Sequence, residues 1–118
     1  MVKWIDYKGN PVLLLDYSGL KDETLLAAFN EVESFILADG RTQILELVDV
    51  TDAYTNLHAF ERLKQMTVTL KPYVGRTAVI GLSGVKQTLV DIISRVSNRK
   101  IKSFTDRQTA LDWLIYKE

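Results

Sequence analysis

Residues Ile44 to Thr51 read Ile-Leu-Glu-Leu-Val-Asp-Val-Thr, and this run decides the fold. Apolar residues occupy both alternating sets of positions, which is typical of a strand in a parallel sheet that helices cover on both faces. Glu46 is the one interruption. A loop and a helix start follow the run, so they lie at the carboxyl edge of the predicted sheet. At that edge, strand ends and helix N-termini offer free N–H groups to ligands and partners.

The segment before this strand predicts a β-hairpin and a helix. Val2 to Tyr7 and Val12 to Asp16 are short apolar runs, and the residues between them include Gly and Asn, which tolerate a positive φ. Asp22 is a suitable N-cap for a helix that Asp39-Gly40 ends. Apolar residues recur at helical spacing between these points, at Leu25, Leu26, Phe29, Val32 and Ile36.

The segment after the strand predicts a second helix and a second buried strand. Asn56 can cap the helix, and Lys71-Pro72 ends it. Its predicted buried stripe consists of Phe60, Leu63 and Leu70. Arg76 to Gly81 contains the apolar triplet Ala78-Val79-Ile80, which indicates a buried strand.

The last third of the chain predicts two helices with a strand between them. Ser83 or Gly84 opens the third helix, Ile101 to Phe104 is a short strand, and Thr105 with Gln108 forms a capping box for the last helix. The third helix carries the cleanest apolar stripe, at Val85, Leu89, Ile92, Ile93 and Val96. The last helix directs Leu111, Leu114 and Ile115 inward.

This alternation predicts an α/β domain over residues 1–118 with a mainly parallel sheet. About five strands, an antiparallel N-terminal hairpin and about four helices are expected, with right-handed crossovers. The composition, 47% hydrophobic and 25% charged, is that of an ordinary globular protein.

The charge balance and residue usage exclude several classes of function. Fifteen basic and fifteen acidic residues give zero net charge, so no global field attracts nucleic acid, and no nucleic-acid partner is expected. Cysteine is absent, which removes disulfides, thiol catalysis and cysteine-bound zinc. No apolar run approaches the roughly 20 residues that a transmembrane helix needs. We therefore expect a cytoplasmic protein.

Clustered carboxylates raise the question of a metal. Asp16 and Asp49 end strands that can be neighbours, and Asp52 follows closely, so together they can bind Mg²⁺. Acidic residues at strand ends more often accept hydrogen bonds from loop N–H groups. We favour that interpretation and expect no metal and no cofactor.

A second cluster, Gly81 to Lys86, combines small residues, a hydroxyl and a cation at a helix start. This chemistry suits an anion, but the Walker spacing is missing, and we favour Ser83 as an ordinary helix cap. Ser83 also lacks the Gly-x-Ser-x-Gly elbow, and His58 has no evident acidic partner. No catalytic residues and no enzymatic activity are expected.

A basic cluster runs from the third helix to the fourth. It can contact phosphates or an acidic partner, but a solvated face is the favoured interpretation. Its members are Arg95, Arg99, Lys100, Lys102 and Arg107.

Several motifs together resemble the SpoIIAA-like proteins of the STAS/SEC14 group. They are the segments 16–20 (Asp-Tyr-Ser-Gly-Leu), 49–51 (Asp-Val-Thr), 71–74 (Lys-Pro-Tyr-Val), 78–84 (Ala-Val-Ile-Gly-Leu-Ser-Gly) and 110–114 (Ala-Leu-Asp-Trp-Leu). The resemblance spans the whole chain. It implies a sheet whose βα units step in one direction, with the antiparallel hairpin at one end.

The resemblance also implies two kinds of function. STAS relatives that act as anti-sigma factor antagonists bind a kinase-like partner and carry a phosphorylated serine in an Asp-Ser-Ser-Gly type motif after the central strand. Residues 49–56 here contain neither serine nor glycine, so capping is the favoured role for Thr51 and Thr55. The SEC14 group implies lipid binding, but a domain of this size is expected to fill its own core and to lack an acyl-sized cavity. The large aromatic residues are accordingly expected to pack in the core or at its edge.

We therefore predict a non-catalytic interaction or regulatory module whose partner is another protein. The alternative is a small-ligand, anion or lipid-binding domain that uses the same edge. The predicted working edge is the region from Thr51 to His58 together with the turn from Ser83 to Lys86. Its candidate residues are Asp49, Thr51, Asp52, Tyr54, Thr55, His58, Ser83, Gly84 and Lys86.

Overall fold

The computed structural model describes residues 1–116, and these form five strands and four helices. In chain order they are β1 (Val2–Tyr7), β2 (Asn10–Asp16), α1 (Asp22–Asp39), β3 (Ile44–Asp49), α2 (Leu57–Thr69), β4 (Val74–Ile80), α3 (Val85–Ser97), β5 (Ile101–Phe104) and α4 (Arg107–Ile115).

The strands form one sheet in the order β1-β2-β3-β4-β5. β1 pairs antiparallel with β2, and every later pair is parallel. Each βα unit therefore adds its strand on the same side of the previous one. The predicted α/β fold, with its antiparallel hairpin and one-directional parallel sheet, is confirmed.

The two faces of the sheet have different covers. Leu47 of β3 and Ala78 of β4 point to the face that α4 covers with Ala110, Leu111 and Leu114. On the opposite face, Leu13 and Leu15 of β2 pack against α1 and α2. Successive side chains of β3 point to opposite faces of the sheet. Glu46 and Val48 therefore point to the side of α1 and α2, while Leu47 points to α4.

Three of the predicted helix caps can be compared with the structure. Asn56 caps α2 as expected, since its side chain accepts from the Ala59 N–H at 2.8 Å. The cap predicted at Asp22 is wrong: the N-cap is Lys21, which forms an isolated β-bridge with Tyr54, and Asp22 is the first residue of α1, with a positive φ of 45°.

The capping box predicted for the last helix is also wrong. Asp106, not Thr105, is the N-cap of α4, and its carboxylate accepts from the Thr109 N–H at 2.8 Å and from the Thr109 hydroxyl at 2.9 Å. A carboxylate is a strong cap at this position, because its negative charge strengthens the hydrogen bond that it accepts from a helix N–H.

The apolar stripe of α3 is only partly buried, contrary to the sequence-based expectation. Ile93 is 4% exposed, but Val85 and Val96 are 75% and 55% exposed. α3 packs mainly against α2 and β5, so much of its stripe does not reach the sheet. Within residues 1–116, no helix is both long and apolar enough to cross a membrane.

Candidate functional site

A cavity of about 740 Å³ lies between α3 and the sheet, on the face that α1 and α2 also cover. We call it the α3 cavity. β2, β3, β4 and the three helices all contribute to its lining. Its apolar walls include Leu15, Val48, Val50, Val79, Leu89 and Ile93.

The cavity exists because α3 stands away from the strands that its stripe would otherwise cover. Val48 lies in the middle of the sheet and is nevertheless only partly buried, as are Val50 and Leu89. The valine side chains of the strands are also small, so they fill little of the space between the sheet and α3. The cavity is therefore bordered by small side chains on the sheet and by an incompletely packed helix opposite them.

The expectation that this chain has no room for an acyl-sized cavity was wrong. A domain of this size was expected to use all its apolar residues to fill the core, but the apolar stripe of α3 is only partly buried. Phe29 and Phe60, expected to be packing residues, are buried as predicted and also line the α3 cavity.

Charged and polar side chains form one buried part of the cavity lining. Glu46 is 3% exposed, and its Oε1 accepts from Arg99 Nη2 at 2.8 Å and from the Thr77 hydroxyl at 2.8 Å. Arg99 Nη2 also lies 2.9 Å from the Thr77 hydroxyl oxygen. This buried pair is formally neutral, which reduces the cost of placing two charges in a low-dielectric interior. Together with Tyr17, these residues are called the polar floor.

Two polar atoms of this floor have no protein partner within residues 1–116. They are the Tyr17 hydroxyl and Arg99 Nε. Burial raises the pKa of Tyr17 well above its usual value, and the Glu46 charge raises it further while Arg99 opposes that effect. Tyr17 is therefore a neutral hydroxyl at physiological pH. Buried groups of this kind are normally hydrogen-bonded.

The polar floor was not predicted, although the sequence contains a usable signal for it. Glu46 interrupts an otherwise apolar strand, and a charge inside a buried strand needs a partner of opposite charge. The partner is Arg99, which the sequence analysis placed on a solvated basic face. That assignment is wrong for Arg99, because its side chain is only 6% exposed.

The entrance to the cavity lies at the carboxyl edge of the sheet. Five residues of the lining are exposed. Thr51, Asp52 and Tyr54 follow β3, Ser83 precedes α3, and Val85 is the first residue of α3. The interior residues of the lining are buried or partly buried. Six of the nine predicted working-edge residues line this cavity: Thr51, Asp52, Tyr54, Thr55, Ser83 and Lys86.

Lys86 connects the two loops of the entrance. Its ammonium group donates to the Val50 carbonyl at 3.2 Å and lies 5.0 Å from the centre of the Tyr54 ring. The loops also approach closely at Gly81, which has φ 85° and where a Cβ would collide with Thr51. Two contacts thus hold the sides of the entrance together: the Lys86 ammonium group on the Tyr54 ring, and the close backbone approach at Gly81, which only glycine permits.

The other three predicted residues are not among those that line the cavity. Asp49 accepts from the Thr51 N–H at 2.9 Å and from the Thr51 hydroxyl at 2.7 Å. His58 is exposed on the first turn of α2. Gly84, not Ser83, is the N-cap of α3 and has φ 53°, so the prediction that Ser83 caps this helix is wrong.

The carboxylates considered as magnesium ligands accept hydrogen bonds within turns instead. Asp16 and Asp49 are register partners on β2 and β3. Asp16 accepts from the Ser18 N–H at 2.9 Å and from the Ser18 hydroxyl at 2.6 Å, the same turn that Asp49 forms with Thr51. Across the described chain, no group of three or more His, Cys, Asp or Glu residues is placed to hold a metal ion.

A comparison with solved structures matches this architecture. An uncharacterised protein of the DUF3478 family from Shewanella loihica PV-4, described as having a SpoIIAA-like fold, superposes with a TM-score of 0.75. The match covers 97% of this chain and 92% of the other. The chain has a SpoIIAA-like fold. At 21% sequence identity, the likeness shows the fold alone.

The comparisons with protein families and with curated proteins gave no match.

Proposed function

We propose that this protein binds a small, largely apolar molecule in the α3 cavity. The observation that carries the proposal is the cavity itself: about 740 Å³ between α3 and the sheet, with apolar walls and a buried polar floor. Ligand sites in proteins typically have volumes of about 300 to 1,000 Å³, and they combine apolar walls with a few convergent polar groups.

The position of the entrance supports the same proposal. It lies at the carboxyl ends of β3 and β4, and open α/β sheets commonly bind ligands at this edge. Tyr54 and Val85 are 56% and 75% exposed there, which provides apolar surface at the point where a ligand would enter. Lys86, the second residue of α3, joins this helix to the loop after β3 through its contacts with Val50 and Tyr54.

A freely exchanging anion receives less support. The ammonium group of Lys86 already contacts a carbonyl oxygen and an aromatic ring. Inside the cavity, Arg99 is paired with Glu46. An anionic group at the floor would therefore leave one negative charge uncompensated in the interior, which is costly.

Titration with the neutral fluorescent probe phenylnaphthylamine tests the proposal. We expect saturable, one-to-one binding with increased fluorescence. Val48→Phe should abolish it, because the larger ring occupies the space above β3. Leu45→Phe is the matched control: it introduces the same ring on the same strand, but Leu45 packs on the α4 face, so the variant should bind the probe as the unmodified protein does.

Two results would count against ligand binding in the cavity. One is the absence of saturable probe binding. The other is equal binding by Val48→Phe, which would locate the probe on the surface. Circular dichroism of each variant verifies that the fold is retained.

A protein partner at the same edge is the second candidate function. Tyr54, Leu57 and Val85 are large apolar residues with exposed fractions of 56%, 76% and 75%, and exposed apolar side chains are a feature of interaction sites. In a pull-down from the native host, Leu57→Asp should lose the partner while still binding the probe. Recovery of the same proteins by the variant would argue against this candidate.

A further inference from the structure

The sheet has two lateral edges, formed by β1 and β5, and the edge of β5 carries only positive charges. We propose that the free edge of β5 binds an extended acidic peptide, which adds to the sheet as a further strand. This interaction does not require a ligand in the α3 cavity.

Unpaired backbone groups are the first argument. β5 is the last strand of the sheet and pairs only with β4 within residues 1–116. The Lys100 carbonyl accepts a hydrogen bond from the Thr77 N–H of β4 at 2.9 Å. Because backbone groups of successive strand residues point to alternate sides, those of Lys102 also point to β4, whereas those of Ile101 and Ser103 point away from it. An added strand requires such a row of outward N–H and C=O groups.

The charge beside these groups is the second argument. Lys102 is in register with Ala78, which packs on the α4 face, and Lys100 lines a surface pocket with Leu114 of α4. Both lysines are exposed, and neither forms a salt bridge within residues 1–116. Asp106, the first acidic residue after β5, caps α4. Acidic residues at every second position of an added strand would lie on the same face as the two lysines.

The accessibility of β5 is the third argument. Every residue of β5 is exposed or partly exposed, whereas β2, β3 and β4 each contain buried residues. Phe104 of β5 and Trp113 of α4 are both partly exposed, and their ring centres are 5.5 Å apart. An added strand would therefore cover apolar surface as well as backbone groups, which favours apolar residues between the acidic ones.

The opposite edge of the sheet provides a comparison. β1 has six residues and β5 has four, so β1 is the longer edge. Its exposed side chains are Lys3 and Asp6, which have opposite charges and do not select an acidic partner. Pairing between the β5 edges of two copies of this chain would bring lysines together, and like charges on adjacent strands repel. The charge of β5 therefore favours an acidic peptide over a second copy.

An amide NMR titration with the peptide acetyl-Glu-Val-Glu-Val-Glu-Val-amide tests the proposal. We expect saturable shifts of the Ile101 and Ser103 amide signals and slower hydrogen exchange of both amides. The counterpart with lysine in place of glutamate should bind about tenfold more weakly, because its charges repel Lys100 and Lys102. Equal binding of the two peptides would contradict the charge argument. Absence of saturable shifts, or shifts confined to β1, would overturn the proposal and leave β5 as an edge protected by its lysines.

Ser103→Pro tests whether the peptide pairs with the backbone. The substitution removes an outward N–H and no hydrogen bond between β4 and β5, and edge strands tolerate proline at such positions. It should weaken binding of the glutamate peptide about tenfold. Ser103→Ala is the matched control, because it keeps the N–H and should bind as the unmodified protein does. Equal binding by Ser103→Pro would show that charge alone holds the peptide, and it would overturn strand addition.

Lys102→Gln tests the charge without altering the backbone. It should lower the affinity for the glutamate peptide about threefold, the size of effect expected for one exposed ion pair, and added salt should reduce the difference. Lys3→Gln on β1 is the matched control and should leave the affinity unchanged. Equal affinities of Lys102→Gln and the unmodified protein would contradict recognition by charge.

Discussion

Leu47 and Val48 are neighbours on β3, yet the two faces of the sheet to which they point are packed differently. Leu47 is fully buried against α4, with Ala78 and Ala110, which are also fully buried. Val48 faces the α3 cavity and is only partly buried. One face of the sheet is therefore a packed core, and the other combines a core under α1 with unfilled space under α3.

The difference shows how a small domain can retain both stability and a cavity. α4 fills its face with Leu111 and Leu114 close against the strands. On the other face, α1 supplies Phe29, Val32 and Ile36 to the core, and α3 is left with exposed apolar residues. Because α4 and α1 bury apolar side chains against the sheet, α3 does not have to fill the space beside it.

The largest effect is expected from breaking the ion pair on the cavity face. Arg99→Met should lower the free energy of unfolding by about 3 to 5 kcal/mol, because Glu46 then remains buried without a compensating charge. The double variant Glu46→Leu with Arg99→Met should recover to within about 1 kcal/mol of the unmodified protein, since apolar replacements of a buried pair are often neutral or stabilising. Urea denaturation measures both.

A loss below about 1 kcal/mol for Arg99→Met alone would show that water reaches Glu46. The polar floor would then be a solvated site and not a buried one.

An intermediate effect should separate the two faces directly. Leu47→Phe adds volume to a packed core and should cost about 1 to 3 kcal/mol. Val48→Phe adds volume beside the cavity and should cost less than about 1 kcal/mol, because the ring has space to enter. Both free energies follow from urea denaturation, and equal losses at the two positions would mean that the cavity is absent in solution.

The strands, α1 and the start of α2 are the parts of the molecule that sequence reasoning predicts well. Ile44 to Asp49 and Ala78 to Ile80 read as buried strands because their apolar residues leave no polar face, and the alternation of strands and helices fixes the parallel order. The apolar spacing of α1 and the Asn56 cap depend only on neighbouring residues in the chain. Local rules of this kind were sufficient there.

The cavity face is the part that sequence reasoning could not predict. The stripe of α3 has the spacing of a buried helix, and spacing does not indicate how far the helix stands from the sheet. Glu46 and Arg99 are 53 residues apart, so their pairing depends on the tertiary structure. Six of the nine residues of the predicted working edge line the α3 cavity, whereas the cavity behind them was not predicted.

The smallest effect concerns Asp16, at the end of β2 beside the packed face. Hydrogen bonds from the Ser18 hydroxyl and the Ser18 N–H lower the pKa of this carboxyl below its usual value. Its contribution is therefore fully present above the unfolded-state pKa of about 4 and is lost as the pH falls through the lower folded-state value.

Asp16→Asn should cost about 1 kcal/mol at pH 7, and it should flatten the loss of stability below about pH 4. Denaturation at pH 7 and at pH 3 measures both effects. An acid dependence identical to that of the unmodified protein would show that Asp16 contributes nothing to it.

Methyl NMR of the protein with and without phenylnaphthylamine tests the binding of a ligand in the α3 cavity most directly. The methyl groups of Val48, Val79, Leu89 and Ile93 line the cavity, and their resonances should shift in a saturable manner. The methyl groups of Leu47, Leu111 and Leu114 lie on the α4 face and should not shift. Shifts confined to exposed residues such as Leu57, or spread equally over both faces, would contradict the account.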